Sequence, residues 1–560
     1  MRRSLSLAIA ATLTVGLAPV ATAVPLPLLL ADSNRDGVAD FRDAGSRQDA
    51  IFLPNLDDSA RRCVPTEADL YGPAPAADVR MAACNDAADE VVNGDEDLKD
   101  LAPLVLRPAK VSGPGRISAD TDKVRLFVLR DGQWISLGTG GELSEQELRH
   151  GAQLRLEGRD IVRDRAAWNG RVTVTVSLPR GRSDSVRLRV APVLLQNDLR
   201  APTMVVTSRL EGTPGYRDFL GGLKATGADP QIWGDAEIWI QDTAEPATAA
   251  MPGPGGVPRV MRVALKAPNY DRRGRGREWF GQRGPGVAIV QTPPSGDTTR
   301  DFSVNSTGNL ESLPPYPGHP LGRPFYGSAK REVDPVFQTL LKSQYDSPPV
   351  IIDTDWLAVG HVDETLHVIP AANRLGWTLM VADPRLAVKL LRGADQDARL
   401  HSDTSTPGRT VRENLADPVF LANNEEAAGH IDRQLAIMLR ETGLRDSDLV
   451  RVPVLFGEPA PPDPEGGTPT QTTRYAAGKT LVAASADIVN GISLSGGVLA
   501  LPRPHAVDDL FERATEQALR GHPVTVRWVE DWDYLHTREG EIHCGTNAFR
   551  EPTVAAWWRS

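Results

Sequence analysis

The chain has 560 residues, a formal charge of −11, 24% charged and 41% hydrophobic residues, and three cysteines. That length is too great for one hydrophobic core, so at least two domains are expected. The acidic balance argues against a nucleic-acid partner, because phosphate binding needs basic surface, and favours tolerance of cationic partners.

Residues 1–23 read as a cleavable export signal. Arg2 and Arg3 precede an apolar run from Leu5 to Val20, and Ala21-Thr22-Ala23 supplies small residues at the cleavage point. The run is too short and wrongly flanked for a membrane anchor. A secreted, extracellular protein with no membrane association is expected. In an oxidising compartment Cys63 and Cys84, close in sequence, are the natural disulfide pair, which leaves Cys544 as a free thiol.

From 24 to 199 the apolar residues recur with period two, as in Val172, Val174, Val176 and Leu178 with Thr173, Thr175 and Ser177 between them. Such runs, separated by Gly, Asp and Pro clusters, predict an all-β sandwich. Extra strands of the later domain are the alternative. From 200 to 560 helical segments (334–344, 425–442 and 508–519) alternate with apolar strands, which predicts an α/β domain. Pro252–Pro258 and Pro459–Pro469 read as surface loops, and no internal repeat stands out.

Four segments concentrate reactive groups: Trp239-Ile240-Gln241-Asp242, Gly360-His361-Val362-Asp363-Glu364, the basic run 272–277, and Glu541-Ile542-His543-Cys544-Gly545-Thr546-Asn547. A guanidinium is a planar, permanently charged fork of donors, and an enzyme acting on it needs carboxylates to accept them. Asp242 and Asp363 are the candidates. Its carbon is a poor electrophile that calls for a thiolate, and Cys544 supplies one. His361 is suited to move protons near neutral pH, and on an extended strand it would share a face with Asp363. The bland alternatives are a core cysteine, a structural histidine, and Asp242 as a helix cap.

These segments resemble the WIQD, GHVDE and HCGTN motifs of the protein-arginine deiminases. Asp355-Trp356-Leu357, Gly308-Asn309-Leu310-Glu311, Pro320-Leu321-Gly322-Arg323 and the closing Trp557-Trp558 agree as well, in the same order. The resemblance implies a five-bladed α/β propeller (the pentein fold) as catalytic domain, preceded by an immunoglobulin-like β domain. It implies that Cys544 attacks the guanidinium carbon, that Asp242 and Asp363 hold the guanidinium nitrogens, and that His361 protonates ammonia and then activates water against a thiouronium intermediate. Trp239 would wall the substrate's aliphatic stem. Arg273 and Arg275 match arginines that bond backbone carbonyls of a peptide substrate; a solvated basic run is the alternative.

Calcium is the cofactor implied. Asp32, Asn34, Asp36, Gly37, Val38, Asp40 and Asp43 have the spacing of an EF-hand-like loop, although its last position is Asp rather than Glu. A polar turn is the alternative. The family also has likely counterparts of Asp57 and Asp58. Gln241, Glu245 and Glu311, with the carbonyls of Thr307 and Leu310, match a calcium site beneath the active centre. A second site there is incomplete, since Thr243 stands where the family has an acid and Tyr270-Asp271 replaces an Asp-Ser pair. One immunoglobulin-like subdomain is missing, so the family's dimer contacts are not expected and a monomer is favoured. The partners expected are proteins or peptides bearing arginine. A deiminase of free arginine or agmatine, and a catalytically dead calcium-dependent binding protein, are the competing readings.

Overall fold

The computed structural model describes residues 27–46, 48–71, 75–210, 212–234, 238–268, 276–292, 303–459 and 479–559. The candidate signal, Arg273, Arg275 and nearly all of the loop 459–469 lie outside them. No helix among the described residues is long and apolar enough to cross a membrane.

The N-terminal region contains two five-stranded sheets. One orders Leu29–Ala31, Ala102–Leu106, Ala152–Gly158, Val124–Arg130 and Gln133–Gly138; the other orders Ala50–Phe52, Ser183–Val190, Arg171–Ser177, Gly115–Ala119 and Gly140–Leu143. The period-two residues do what alternation requires: Val172, Val174 and Val176 are buried with Leu104, Leu126 and Leu154 in one core, and the intervening threonines are only partly covered. Between the strands lies a segment that strand periodicity did not foretell. Helices Glu67–Tyr71 and Pro75–Ala83 occupy the loop closed by the Cys63–Cys84 disulfide.

The C-terminal region is built from five units of one pattern, the repeat that reading by eye missed. Each has two antiparallel strands, a helical crossover and a third strand parallel to the second. The strand triplets are Thr546–Arg550, Pro202–Ser208 and Gln231–Trp233; Ala244–Met251, Arg259–Lys266 and Val287–Gln291; Leu310–Leu313, Arg323–Gly327 and Val350–Ile352; Leu366–Pro370, Trp377–Ala382 and Val450–Val452; and Ile492–Ser493, Val498–Pro502 and Thr525–Val529. A parallel pair cannot be joined by a tight turn, which is why a helical crossover stands at the same place in each unit. The units share topology without shared sequence, so no repeat is visible in the letters. Leu194–Leu195 already pairs with Ala244–Met251, so the chain joins this region before residue 200.

The crossover helices start where sequence chemistry favours them. Asp334, Asp383 and Asp417 each cap a helix with Pro at its first position, Pro335, Pro384 and Pro418. The last of these begins at Pro418 rather than at Glu425, and ends at Gly443, whose φ of 70° is the left-handed stop that glycine adopts without strain. The first unit is completed by the end of the chain, with Val205 opposite Ala548 and Thr207 opposite Thr546.

The cysteine arrangement gives a direct check. Alkylation of the unfolded but unreduced protein is expected to label Cys544 alone; label on all three cysteines would show that Cys63 and Cys84 are not bridged.

Candidate active site

The terminal strand delivers Cys544 to the segment that carries Asp242. The carbonyl of Cys544 accepts the Gln241 N–H at 3.2 Å, and the Cys544 N–H donates to Asn490 Oδ1 at 3.3 Å. Both neighbours of the thiol are thereby fixed through backbone. The thiol is buried, with Sγ 3.7 Å from Asp363 Oδ2.

His361 and Asp363 converge on the same point, but not as two residues of a strand. His361 is extended (φ −102°, ψ 152°) and precedes the 3-10 turn Val362–Glu364, whose Glu364 Oε1 accepts the N–H groups of Gly360 and His361 at 3.0 and 2.7 Å. Its ring Nε2 lies 2.9 Å from the carbonyl oxygen of Ser303. A carbonyl can only accept, so the proton sits on Nε2 and Nδ1 faces the carboxylates, 3.8 Å from Asp242 Oδ1 and 3.9 Å from Asp363 Oδ1. Asp242 is not a helix cap; it is the middle residue of the 3-10 turn Gln241–Thr243.

Gly308 explains why this packing is possible. A Cβ on it would stand 2.6 Å from His361 Nδ1 and 2.9 Å from Asp242 Oδ1, so any side chain there would displace one of them. Gly540 plays the same part against the ring of Trp239, where a Cβ would lie 2.5 Å from Cζ3. These glycines, with Asn490 and Ser303, carry no group reactive toward a guanidinium, so nothing in the sequence alone marks their part in the site.

Two carboxylates beside a buried thiol have an electrostatic consequence. Burial first, then the charges of Asp363 and Asp242, hold the Cys544 thiol well above the ordinary cysteine value. A cation placed between the carboxylates would offset the electrostatic part of that shift, though not the part due to burial.

Asp363 Oδ2 also takes His543 Nδ1 at 2.8 Å, and His543 Nε2 lies 3.4 Å from Glu311 Oε1. Glu311 lines a cavity of about 30 Å³ with Glu245, Gln241, Asp198, His543 and Arg550. Burial first, then the charge of Asp198, pushes the carboxyls of Glu245 and Glu311 well above their ordinary range. Arg550 answers Asp198 at 2.8 Å, and Gln241 Nε2 donates to Glu245 Oε2 at 2.9 Å. Thr307 and Leu310 are not among the lining residues; the Thr307 carbonyl accepts the Leu310 N–H within its own turn.

In the N-terminal loop the acidic oxygens accept backbone N–H groups. Asp32 takes those of Asp36 and Gly37, each at 2.9 Å, Asn34 Oδ1 shares that of Asp36, Asp36 takes that of Val38, and Asp43 takes those of Asn34 and Asp40. Asp40 itself pairs with Arg42. Asp57 and Asp58 belong to a second acidic group with Asp86, Asp97 and Asp100, where burial and the Asp100 charge raise Asp57 to about 8. Among the described residues, no set of three or more His, Cys, Asp or Glu side chains is arranged to hold a metal ion.

A thiol, an imidazole and two carboxylates meet at one buried point, a set of groups of the kind found in hydrolases. The family model for protein-arginine deiminase (PAD) matches residues 181–559, and the chain belongs to that family. Protein-arginine deiminase type-1 of Homo sapiens is 26% identical over 521 residues, 82% of this chain and 73% of that protein. The type-3 protein of Homo sapiens is 26% identical over 554 residues, 87% of this chain and 78% of that protein. Among solved structures, the agmatine deiminase of C. jejuni aligns with 64% of this chain and 96% of its own at a TM-score of 0.34 and 10% identity, too loosely to bear on the reaction.

The raised thiol has a measurable signature. In the absence of substrate, the rate of Cys544 alkylation by a neutral reagent is expected to keep rising past pH ~9, beyond the ordinary cysteine value, since only the thiolate reacts. A plateau below about pH 7 would mean a thiolate already formed in the resting enzyme.

Proposed function

We propose that this enzyme hydrolyses arginine side chains of proteins or peptides to citrulline, releasing ammonium. The observation that carries the reading is the placement of Cys544 Sγ beside Asp363, with His361 Nδ1 facing both Asp242 and Asp363. In this reading the two carboxylates accept the guanidinium N–H groups and the thiol gives its proton to His361. The Sγ–C bond forms, and His361 returns the proton to the departing nitrogen as the C–N bond breaks. Water then attacks the thiouronium carbon; one of its protons passes through His361 to the Cys544 sulfur as the C–S bond breaks, and the other is taken up by the ammonia already released, so that citrulline and ammonium result with the thiol restored. Trp239 lies along the substrate stem, and Arg273 and Arg275 hold peptide carbonyls.

The fold proposed for this chemistry is a five-bladed propeller of the pentein type after an immunoglobulin-like domain. The five like units, and the completion of the first by the last strand, support it. Export is supported by the Cys63–Cys84 disulfide, which an oxidising compartment sustains.

Calcium is the proposed ion. Glu245, Glu311, Asp198 and Gln241 are hard oxygen donors around one small cavity with excess negative charge, which fits the ion, although they are not drawn together as a closed ligand set. Bound there it would neutralise charge rather than touch the guanidinium. His543, between Glu311 and Asp363, connects the cavity to the reacting groups. The loop 32–43 is the second candidate.

An acylated, amidated arginine is expected to be turned over with kcat/KM at least about tenfold above free arginine, for whose ammonium the matched motifs offer no dedicated partner. Citrulline assays decide this, and Cys544→Ser is expected to be inactive with its fold retained. Equal turnover of free arginine would overturn the peptidyl assignment. Millimolar Ca²⁺ is expected to raise Tm relative to chelator, because a ligand that binds only the native state stabilises it; an unchanged Tm would remove calcium from the proposal.

A further inference from the structure

The helices Glu67–Tyr71 and Pro75–Ala83, tied at their ends by the Cys63–Cys84 disulfide, form a strap that reaches the catalytic region. Ala77 and Met81 share an apolar cluster with Ile240, Ala244, Trp279 and Phe549. Those residues flank Asp242, belong to the 3-10 turn Arg277–Gln282, and sit on the strand after Cys544. Asp78 is buried and accepts Arg277 Nε at 2.8 Å and Nη2 at 3.1 Å, while Nη1 donates to the Asp69 carbonyl at 3.2 Å. Arg277 is 1% exposed, so its charge is compensated inside the protein by a carboxylate from the N-terminal region. At the far end of the same turn, Arg283 Nη1 donates to the carbonyls of Met81, at 2.7 Å, and of Cys84.

The turn in turn braces Asp242. Gly276, with φ 67°, lies against Thr243 so closely that a Cβ would stand 2.5 Å from the Thr243 Cβ. Lys266 Nζ donates to the Gly276 carbonyl at 2.8 Å, Trp279 Nε1 donates to Thr243 Oγ1 at 2.9 Å, and Thr243 Oγ1 donates to the Ile240 carbonyl at 2.7 Å. Thr243 follows Asp242 directly in the short turn.

We propose that Asp78 is a positioning residue for the reaction: by holding Arg277 it fixes the Gly276–Thr243 contact and so the orientation of the Asp242 carboxylate toward a substrate cation. The inference rests on the reading of Asp242 as a guanidinium ligand. An ion pair that only stabilises the fold would change how much protein is active, whereas a positioning pair changes how each active site binds a cation. Loss of an interaction made equally in ground and transition states raises KM with kcat little changed.

The test uses the full-length protein as wild type, Asp78→Asn, Asp78→Glu and Arg277→Lys, with the titratable thiol counted in each. Steady-state kinetics on an acylated, amidated arginine are paired with the ratio of Cys544 alkylation rates by chloroacetamidine, a small cation, and chloroacetamide, its neutral counterpart. Asp78→Asn is expected to raise KM about tenfold with kcat per thiol within about threefold, and to lower the cation-to-neutral ratio about tenfold. Asp78→Glu, which keeps the charge, is expected to recover most of both. Unchanged KM and ratio, with only a lower Tm or fewer titratable thiols, would overturn the proposal. Should Asp78→Asn fail to fold, Arg277→Lys decides: it keeps the buried charge but loses the fork, and the ratio must still fall. Wild-type protein that leaves arginine untouched would sink the deiminase reading, while the alkylation ratio would still judge Asp78.

Discussion

The strand Thr546–Arg550 pairs with Pro202–Ser208, and this ladder carries the thiol to the first unit of the catalytic region. A strand held by main-chain bonds along its length has its register fixed, and with it the direction of the backbone just before it. Cys544 stands two residues ahead of that strand, where its carbonyl meets the Gln241 N–H. Asp242 is next in the chain. The His361 and Asp363 segment comes from between the third and fourth units, and Asn490 from just before the fifth, so the site draws on segments far apart in the chain.

Negative charge is the second constraint. Asp242 and Asp363 flank the thiol, and behind them Glu364, Glu541 and Asp487 are buried with their carboxyls shifted upward, the first two to about 8. Burial and the charges of Asp363 and Asp242 disfavour a resting thiolate there. Backbone N–H groups moderate the cost: Glu364 takes two of them, and Glu541 accepts one from Asp487. Beyond His543 the buried acidic region continues to Glu311 and Glu245.

The N-terminal region adds an outer brace. Its disulfide-bounded helices set a carboxylate against Arg277 and bury Ala77 and Met81 in the cluster that contains Trp279 and Phe549. Trp279 meets Trp233 and Phe549 edge-on at 4.8 and 5.5 Å, an arrangement worth about 0.5–1.5 kcal/mol per pair beyond burial. Strap, turn and nucleophile strand are therefore parts of one packed body.

The sequence by itself determined the family and marked the side chains able to react. Free Cys544, His361 and the two aspartates were legible because each reactive group is a property of a side chain, and the motifs around them are contiguous. It also determined the alternation of Val172, Val174 and Val176, because a half-buried strand must repeat every second residue. Helix starts at Asp334, Asp383 and Asp417 follow from the same local rules, through capping and proline geometry. What only the tertiary structure decided is everything that depends on residues far apart in the chain: the five like units, which share hydrogen-bond topology rather than letters; the 3-10 turns that replace the expected strand at His361; and the need for glycine at 308 and 540, set by neighbours elsewhere. The pairing of Asp78 with Arg277 belongs to the same class. Arg277 closes a basic run for which solvated surface was the alternative reading, nothing in the letters marks Asp78 as its partner, and only folding reveals that each is buried against the other.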